Sequence, residues 1–117
     1  MPFIQITTNG TVSQAQKSEL QAGCYTSMQV IPGKENWLMV SVVDEQPLWF
    51  KQDEQAPTAF LEVNLFGTLE DDAAQAITQK LTDVVQGVLS ISPERIYIMY
   101  KTTPHWGWNG ANFKRKK

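Results

Sequence analysis

The sequence predicts an α+β fold, a two-layer α/β sandwich in which a four-stranded mixed sheet carries two helices on one face. Three observations predict it. The chain has 117 residues, which is the size of one domain. Its apolar positions alternate between the period of a strand and the period of a helix. The order strand, helix, strand then occurs twice, which indicates a duplicated βαβ unit.

The first unit occupies the N-terminal half. Residues 3–8 are mostly β-branched or apolar, as in a short strand. A helix of about four to five turns follows, and Pro32-Gly33 is predicted to end it. Residues 37–43 form a continuous apolar run, typical of a strand that is buried on both faces or nearly so. The buried face of the helix is formed by Leu20, Cys24, Met28 and Ile31.

The second unit repeats this order. Residues 59–66 are predicted to form a strand that Gly67 ends. Asp71 and Asp72 place negative charge at the start of a helix, where the helix dipole favours it. Residues 96–100 are the last predicted strand. The buried face of the second helix is formed by Ile77, Leu81, Val85 and Val88.

A shift of 57 residues superposes the two units. It carries the four apolar positions of the first helix onto those of the second. Each unit makes two parallel strands joined by a right-handed crossover helix, so two units side by side place both helices on one face of the sheet. The strand positions that superpose are Phe3 on Phe60, Ile4 on Leu61 and Ile6 on Val63.

The other face of this sheet has no cover. Its strands are predicted to be too apolar to meet water, so we expect an oligomer that buries the face. The segment between the two units contains a further apolar triplet, Leu48-Trp49-Phe50. We interpret the triplet as a short edge strand that pairs with a neighbouring chain.

Composition excludes several kinds of site. Cys24 is the only cysteine, which excludes an internal disulfide and a cysteine-based zinc site, and its place on an apolar helix face predicts an inert core residue. His105 is the only histidine, which excludes a histidine-rich metal site and leaves one candidate for a catalytic triad. The sequence therefore predicts neither a cysteine-based nor a histidine-rich metal site.

Charge is distributed unevenly along the chain. The net charge is −2, but residues 1–113, the predicted single domain, carry six basic and twelve acidic residues. A domain with this excess of acidic residues is a poor surface for nucleic acid, so we expect no nucleic-acid partner. Residues 114–117 form a basic tail, which we interpret as a solvated segment, with contact to an anionic partner as the alternative.

No segment of the sequence resembles a membrane span or a signal peptide. No apolar run approaches the roughly 20 residues that a membrane helix needs. The first residues lack the basic and apolar regions of a signal peptide. We therefore expect a cytoplasmic protein without membrane insertion, and non-classical secretion stays open.

Three places in the sequence are suited to chemistry. Pro2 becomes a free secondary amine if Met1 is removed, and burial would lower its pKa and make it a general base. Lys34 follows the predicted end of a helix, where it either meets a substrate carboxylate or only complements the helix dipole. Residues 105–113 are aromatic and glycine-rich. They predict the walls of an apolar pocket or a small hairpin packed on a neighbouring subunit, and the two interpretations are compatible.

Over residues 2–113 the sequence resembles the macrophage migration inhibitory factor family of the tautomerase superfamily. The resemblance implies a homotrimer in which three sheets form a barrel with the helices outside and the active sites at subunit interfaces. It also implies cofactor-free keto–enol tautomerisation of small aromatic α-keto acids such as phenylpyruvate, and of dopachrome-type substrates. The motifs that carry it are Pro2, Gly33-Lys34, Ile91-Ser92-Pro93-Glu94-Arg95-Ile96-Tyr97-Ile98, and Gly107-Trp108-Asn109 followed by Phe113.

The resemblance also implies residue roles. Pro2 matches the catalytic base, and Lys34 matches the cation that binds the substrate carboxylate. Tyr97 matches a pocket tyrosine that the adjacent subunit contributes. The other substrate-binding matches are Phe66, where the family usually has isoleucine, Trp37, which lies near the family's pocket tyrosine, and the aromatic walls Trp108 and Phe113.

The sequence departs from the family pattern at three places. Met99 stands where vertebrate members have asparagine, which removes a polar group from the pocket edge. Thr58 and Leu61 occupy the positions of the family's CxxC motif, so its proposed thiol-redox activity is not implied. The basic tail extends beyond the usual ending. Because vertebrate members act as cytokines, a cytokine-like or partner-binding protein with a vestigial pocket is the alternative function.

Overall fold

Four strands and two helices form the body of the protein. The structure is a computed structural model that describes residues 1–113, so the basic tail lies outside the described residues. The strands of the sheet are β1 (Pro2–Thr8), β2 (Met39–Val43), β3 (Ala59–Phe66) and β4 (Ile96–Thr103). The helices are α1 (Gln14–Met28) and α2 (Asp71–Leu89), and a small hairpin pairs β5 (Gly107–Trp108) with β6 (Ala111–Asn112).

The sheet confirms the predicted duplication. Its strand order is β2-β1-β3-β4. Within each unit the two strands are parallel, β1 with β2 and β3 with β4. The units join through an antiparallel pairing of β1 with β3, in which Pro2 lies opposite Leu65. The result is the predicted four-stranded mixed sheet with both helices on one face.

The core lies between the sheet and the helices. Strands β1 and β3 bury every second residue, as the period of a strand requires. The predicted helix faces are buried apart from their last positions, Ile31 and Val88, which are only partly buried. Cys24 is fully buried, and burial raises the pKa of its thiol to about 12, so it is an inert core residue as predicted.

Two predicted boundaries and one burial prediction were wrong. Helix α1 ends at Met28, one turn before Ile31, because Pro32 disfavours helical backbone in the residue before it. Strand β2 begins at Met39, and Trp37 lies in a 3₁₀ turn, Glu35–Trp37. The strand at residues 37–43 is not buried on both faces, since the helices cover only one face of the sheet and Met39 on the other face is exposed. The edge position of β2, which pairs only with β1, adds to its exposure.

The open face of the sheet is less apolar than predicted. Strand alternation places Met39 and Tyr97 on it, and both are mostly exposed. Polar residues alternate with these, and Lys101 forms an ion pair with Glu62 at 3.7 Å. The oligomer therefore stays a prediction. It rests on scattered aromatic and aliphatic side chains of the open face and not on a continuous apolar surface.

The triplet Leu48-Trp49-Phe50 is not a strand within this chain. Phe50 pairs with Asp53 in an isolated bridge, across a turn of Lys51 and Gln52. Trp49 is 64% exposed. Pairing of the triplet with a neighbouring chain stays a prediction.

Gly23 of α1 lies against Val84 of α2, and replacing this glycine with alanine should destabilise the fold. A Cβ there would lie 2.7 Å from Cγ2 of Val84 and still closer to Cγ1, and a valine side chain has little rotamer freedom to move away. The helix-propensity gain of about 1 kcal/mol is outweighed by overpacking of about 1–3 kcal/mol. Urea denaturation should show a lower free energy of unfolding.

Gly87→Ala is the matched control for this substitution. Gly87 lies in α2 with nothing within 4 Å of an added Cβ, so alanine there should stabilise the protein by up to about 1 kcal/mol. Val84→Ala in the Gly23→Ala background should recover part of the loss. Equal effects of Gly23→Ala and Gly87→Ala would contradict this account of the helix contact.

Candidate active site

A cleft of about 450 Å³ opens where β1 begins and β3 ends. The turn after α1 forms one wall of it, and the C-terminal hairpin stands beside it. The chain positions that line the cleft come from four separate segments. They are Met1, Pro32, Gly33, Lys34, Trp37, Phe66 and Phe113.

The chain's terminal amine lies in this cleft. The ring of Pro2 is fully buried in β1, and the carbonyl oxygen of Met1 accepts a hydrogen bond from the amide of Phe66 at 3.3 Å. Burial, together with the nearby charge of Lys34, lowers the pKa of the Met1 amino group from 8.0 to about 6. An amine at this place is therefore mostly neutral at pH 7 and able to accept a proton.

Lys34 is brought to the cleft by the turn that follows α1. Gly33 has a φ of +89°, a backbone conformation that glycine adopts without strain. The turn directs the Lys34 side chain across the cleft, where its Nζ donates a hydrogen bond to the carbonyl oxygen of Phe66 at 3.3 Å. Lys34 and Met1 thus line the same cleft, and the charge of Lys34 contributes to the lowered pKa of the terminal amine.

Aromatic rings form a cluster beside the amine and the lysine. The rings of Trp37 and Trp108 meet edge to face at 5.1 Å. Phe113 stacks on Trp108 at 6.2 Å and lies 5.7 Å from Phe66. Four aromatic residues that the resemblance implied, drawn from distant parts of the chain, are thus together in one protomer.

The hairpin β5–β6 is what places two of these rings. Asn109 and Gly110, its turn residues, both have positive φ, the pattern of a two-residue type I′ turn. The amide of Phe113 donates to the carbonyl oxygen of Trp106 at 2.8 Å, which closes the hairpin. Each interpretation of residues 105–113 was correct in part: the segment forms a hairpin, and its aromatic rings stand at the cleft. Packing of these rings on a neighbouring subunit stays a prediction.

Tyr97 is the one predicted site residue that lies elsewhere in the protomer. It pairs with Phe60 on β3, six residues from Phe66, so it is about 20 Å from the cleft. Its ring packs on Phe50 at 5.3 Å, beside a groove of about 170 Å³ that Trp49 also lines. Its contribution to a neighbouring subunit's cleft stays a prediction.

Sequence reasoning missed the contact between Trp37 and Trp108. The two residues lie in turns far apart in the chain, and no periodicity links them. The sequence did contain the Asn109-Gly110 turn signal, which predicts a hairpin but not the surface on which it packs. Within residues 1–113, no group of three potential metal ligands lies together, and His105 is an exposed loop residue.

Comparison with known proteins places the chain in a family. The family model for macrophage migration inhibitory factor (MIF) matches residues 1–114. The chain belongs to the macrophage migration inhibitory factor family. A comparison with curated protein sequences finds no match.

Solved structures of MIF proteins have the same fold. Leishmania major MIF2 is 29% identical to this chain, with a TM-score of 0.91, and the match covers 97% of each chain. The MIF homologue of Prochlorococcus marinus is 26% identical, with a TM-score of 0.86, over 95% of this chain and 98% of the homologue. Pt0534, solved after inactivation by 2-oxo-3-pentynoate, is 12% identical with a TM-score of 0.78, over 86% and 85% of the two chains. At that identity the likeness shows the fold alone.

Membership of the MIF family supports a tautomerase-type or MIF-like function in general terms. In the part of the chain that the structure describes, no helix is both long and apolar enough to cross a membrane.

Proposed function

We propose that this MIF-family protein is a cofactor-independent keto–enol tautomerase of phenylpyruvate-like α-keto acids and dopachrome-type substrates. Pro2, freed by removal of Met1, is its general base. The observation that supports the proposal most is the cleft itself, in which a desolvated amine site, a lysine and four aromatic rings lie together. An amine whose pKa falls to about 6 at this place is suited to proton transfer near neutral pH.

The chemistry is the movement of one proton. Lys34 binds the substrate carboxylate, and the rings of Trp37, Trp108 and Phe113 hold the substrate's own ring. The Pro2 nitrogen removes the proton on the carbon beside the carbonyl group. The electron pair of that C–H bond forms a carbon–carbon double bond, and the π electrons of the carbonyl group move onto its oxygen to give an enolate. Lys34 holds the carboxylate in the substrate and the enolate alike, and Pro2 then delivers its proton to the oxygen to give the enol.

A homotrimer completes the proposal. The cleft of one protomer lacks Tyr97, and a neighbouring subunit is the source that the family pattern implies. Light scattering should therefore give about three times the mass of the chain, and a stable monomer at micromolar concentration would contradict it. Trp49→Asp should weaken assembly, because it places a charge on the exposed apolar triplet.

The direct test is a tautomerase assay with phenylpyruvate on protein whose N-terminus has been established by mass spectrometry. Processed protein should accelerate the reaction in the absence of added metal or cofactor. Failure to do so, in a folded protein that begins with Pro2, would favour the partner-binding alternative.

Lys34→Ala should raise KM for phenylpyruvate about ten- to a hundredfold, with a smaller decrease in kcat. A lost hydrogen bond to a charged group costs about 1.5–3 kcal/mol, and a group that binds the substrate and the transition state alike acts mainly on KM. Initial rates over a range of phenylpyruvate concentrations measure both constants. Lys80→Ala is the control, because Lys80 is an exposed residue of α2 and does not line the cleft. An unchanged KM for Lys34→Ala would remove this lysine from the substrate site.

A further inference from the structure

The dipeptide Asn-Gly occurs twice in the chain, at Asn9-Gly10 and at Asn109-Gly110. This dipeptide is prone to deamidation, because glycine has no side chain to shield its backbone nitrogen. The nitrogen attacks the side-chain carbonyl carbon of the asparagine, and the amide group leaves as ammonia with the proton of that nitrogen. Water then opens the resulting succinimide ring to give either aspartate or isoaspartate. The reaction requires an asparagine side chain that is free to turn toward the next residue.

The fold holds the Asn9 side chain in place. Its nitrogen donates hydrogen bonds to the carbonyl oxygens of Glu54 at 3.0 Å and Ala56 at 2.9 Å. Its oxygen accepts a hydrogen bond from the amide of Thr58 at 2.9 Å. These three hydrogen bonds must break before the side chain can meet the Gly10 nitrogen, which should slow the reaction about a hundredfold.

Asn109 is in the opposite situation. Asn109 and Gly110 are exposed and form the tip of the β5–β6 hairpin. The side-chain hydrogen bonds near this end of the chain join Thr103 to His105, and within residues 1–113 none involves the side chain of Asn109. The hairpin contains only two residue pairs, and so short a hairpin opens locally at small cost. Opening brings the Asn109 side chain within reach of the Gly110 nitrogen.

We propose that Asn109 is a site of spontaneous deamidation and that the fold protects Asn9 in the same dipeptide. Either product places a carboxylate on the hairpin beside the cleft. Isoaspartate also adds one carbon atom to the backbone of a two-residue turn, which disturbs the pairing of Trp108 with Ala111. The contacts of the Trp108 ring with Trp37 and Phe113 should then weaken. The proposal is independent of any catalytic activity.

The test compares the two asparagines within one sample. Folded protein is incubated in mildly alkaline buffer, digested with trypsin and analysed by mass spectrometry. Asn9 lies in the peptide that ends at Lys17, and Asn109 lies in the peptide of residues 102–114. Fragmentation of the second peptide distinguishes Asn109 from Asn112. Because the hairpin must open first, we expect Asn109 to react at least about tenfold faster than Asn9, and not the full hundredfold.

The same incubation in guanidinium chloride is the matched control. Without the fold, the two asparagines should react at nearly equal rates, which corrects for the residues that precede each of them. Equal rates in the folded protein would overturn the proposal. An Asn109 that stays intact while the unfolded chain reacts would overturn it as well.

Near-ultraviolet circular dichroism tests the consequence for the aromatic cluster. The signal from the tryptophan rings should decrease in proportion to the isoaspartate fraction. Freshly prepared Asn109→Asp carries the same carboxylate on a normal backbone and should keep the signal. An unchanged spectrum in protein rich in isoaspartate would show that the hairpin does not depend on the length of its turn.

Discussion

Protein that keeps Met1 should tautomerise phenylpyruvate at least about a hundredfold more slowly than protein that begins with Pro2, since a positioned general base contributes about 10²–10⁴ to a rate. With Met1 attached, the Pro2 nitrogen is an amide without a basic electron pair. The measurement is kcat/KM for two preparations of one sequence, distinguished by mass spectrometry. Equal activity would show that Pro2 is not the base.

The Met1 amine could itself act as a base in unprocessed protein. Its pKa is lowered to about 6 in the same cleft, so unprocessed protein also presents a neutral amine at pH 7. That amine is one residue out of place and lacks the buried ring that fixes the Pro2 nitrogen, so most of its advantage should be lost. Pro2→Gly, once processed, keeps a primary amine at the right position and should lie between the two forms in activity.

The pH dependence provides an independent check on the same base. Burial and Lys34 both disfavour the ammonium form, so kcat/KM of processed protein should rise with pH through a pKa below the ordinary α-amino value of about 7.7–8.0. Below that pKa the nitrogen holds its proton and cannot accept another. Lys34→Ala removes the charge repulsion, so the acid limb of its profile should move to higher pH. A limb that stays in place would contradict the proximity of lysine and base.

The repeated unit was predictable because the buried residues of a helix or strand recur at a regular spacing along the sequence. The faces that begin at Leu20 and Ile77 are spaced for a helix, and alternation along β1 and β3 is spaced for a strand. The limits of these elements depend on single local interactions instead. Pro32 shortens α1. The burial of β2 depends on its edge position, which follows from the strand order of the whole sheet and cannot be inferred from the residues of β2 alone.

The residues themselves marked Pro2, Lys34 and residues 105–113 as suited to chemistry, but that they meet in one cleft was predictable only through the resemblance. Periodicity gives no reason for Trp37 to meet Trp108, or for Lys34 to reach the Phe66 carbonyl, because these contacts join turns whose separation in the chain is arbitrary. For Tyr97, the sequence predicts the face of the sheet but not the cleft. Its place on the open face follows from strand alternation, whereas its predicted contribution to a neighbouring subunit's cleft depends on how chains assemble.

Arg95→Ala should lower the free energy of unfolding by about 2–4 kcal/mol, the range expected when a buried charged donor is removed from several acceptors. The Arg95 side chain is only 12% exposed. Its Nε donates to the carbonyl oxygen of Pro57 at 3.1 Å, and Nη2 donates to the carbonyl oxygen of Asp53 at 3.0 Å. Nη2 also donates to the Thr58 hydroxyl at 2.6 Å.

The turn that Arg95 contacts has an unfavourable backbone conformation, which interactions from outside the turn must offset. Lys51 and Gln52 have φ values of 51° and 65°, a conformation that costs energy for residues other than glycine. Arg95 contacts both ends of this turn, through the carbonyl oxygens of Phe50 at 3.4 Å and Asp53, and its guanidinium lies over the Phe50 ring at 5.3 Å. Without it, the turn that carries the apolar triplet loses its partners and the strain remains.

Lys101→Ala is the matched control, since it removes a cation with one exposed ion pair and should change stability by less than about 1 kcal/mol. Arg95→Lys should fall between the two, because an ammonium keeps the charge but cannot bond to several carbonyl groups in the plane of a guanidinium. Chemical denaturation at one fixed protein concentration compares the three, because assembly makes apparent stability depend on concentration. If Arg95→Ala were no more destabilising than Lys101→Ala, the segment from Phe50 to Thr58 would be held by its own turn and by β3, and Arg95 would be incidental to it.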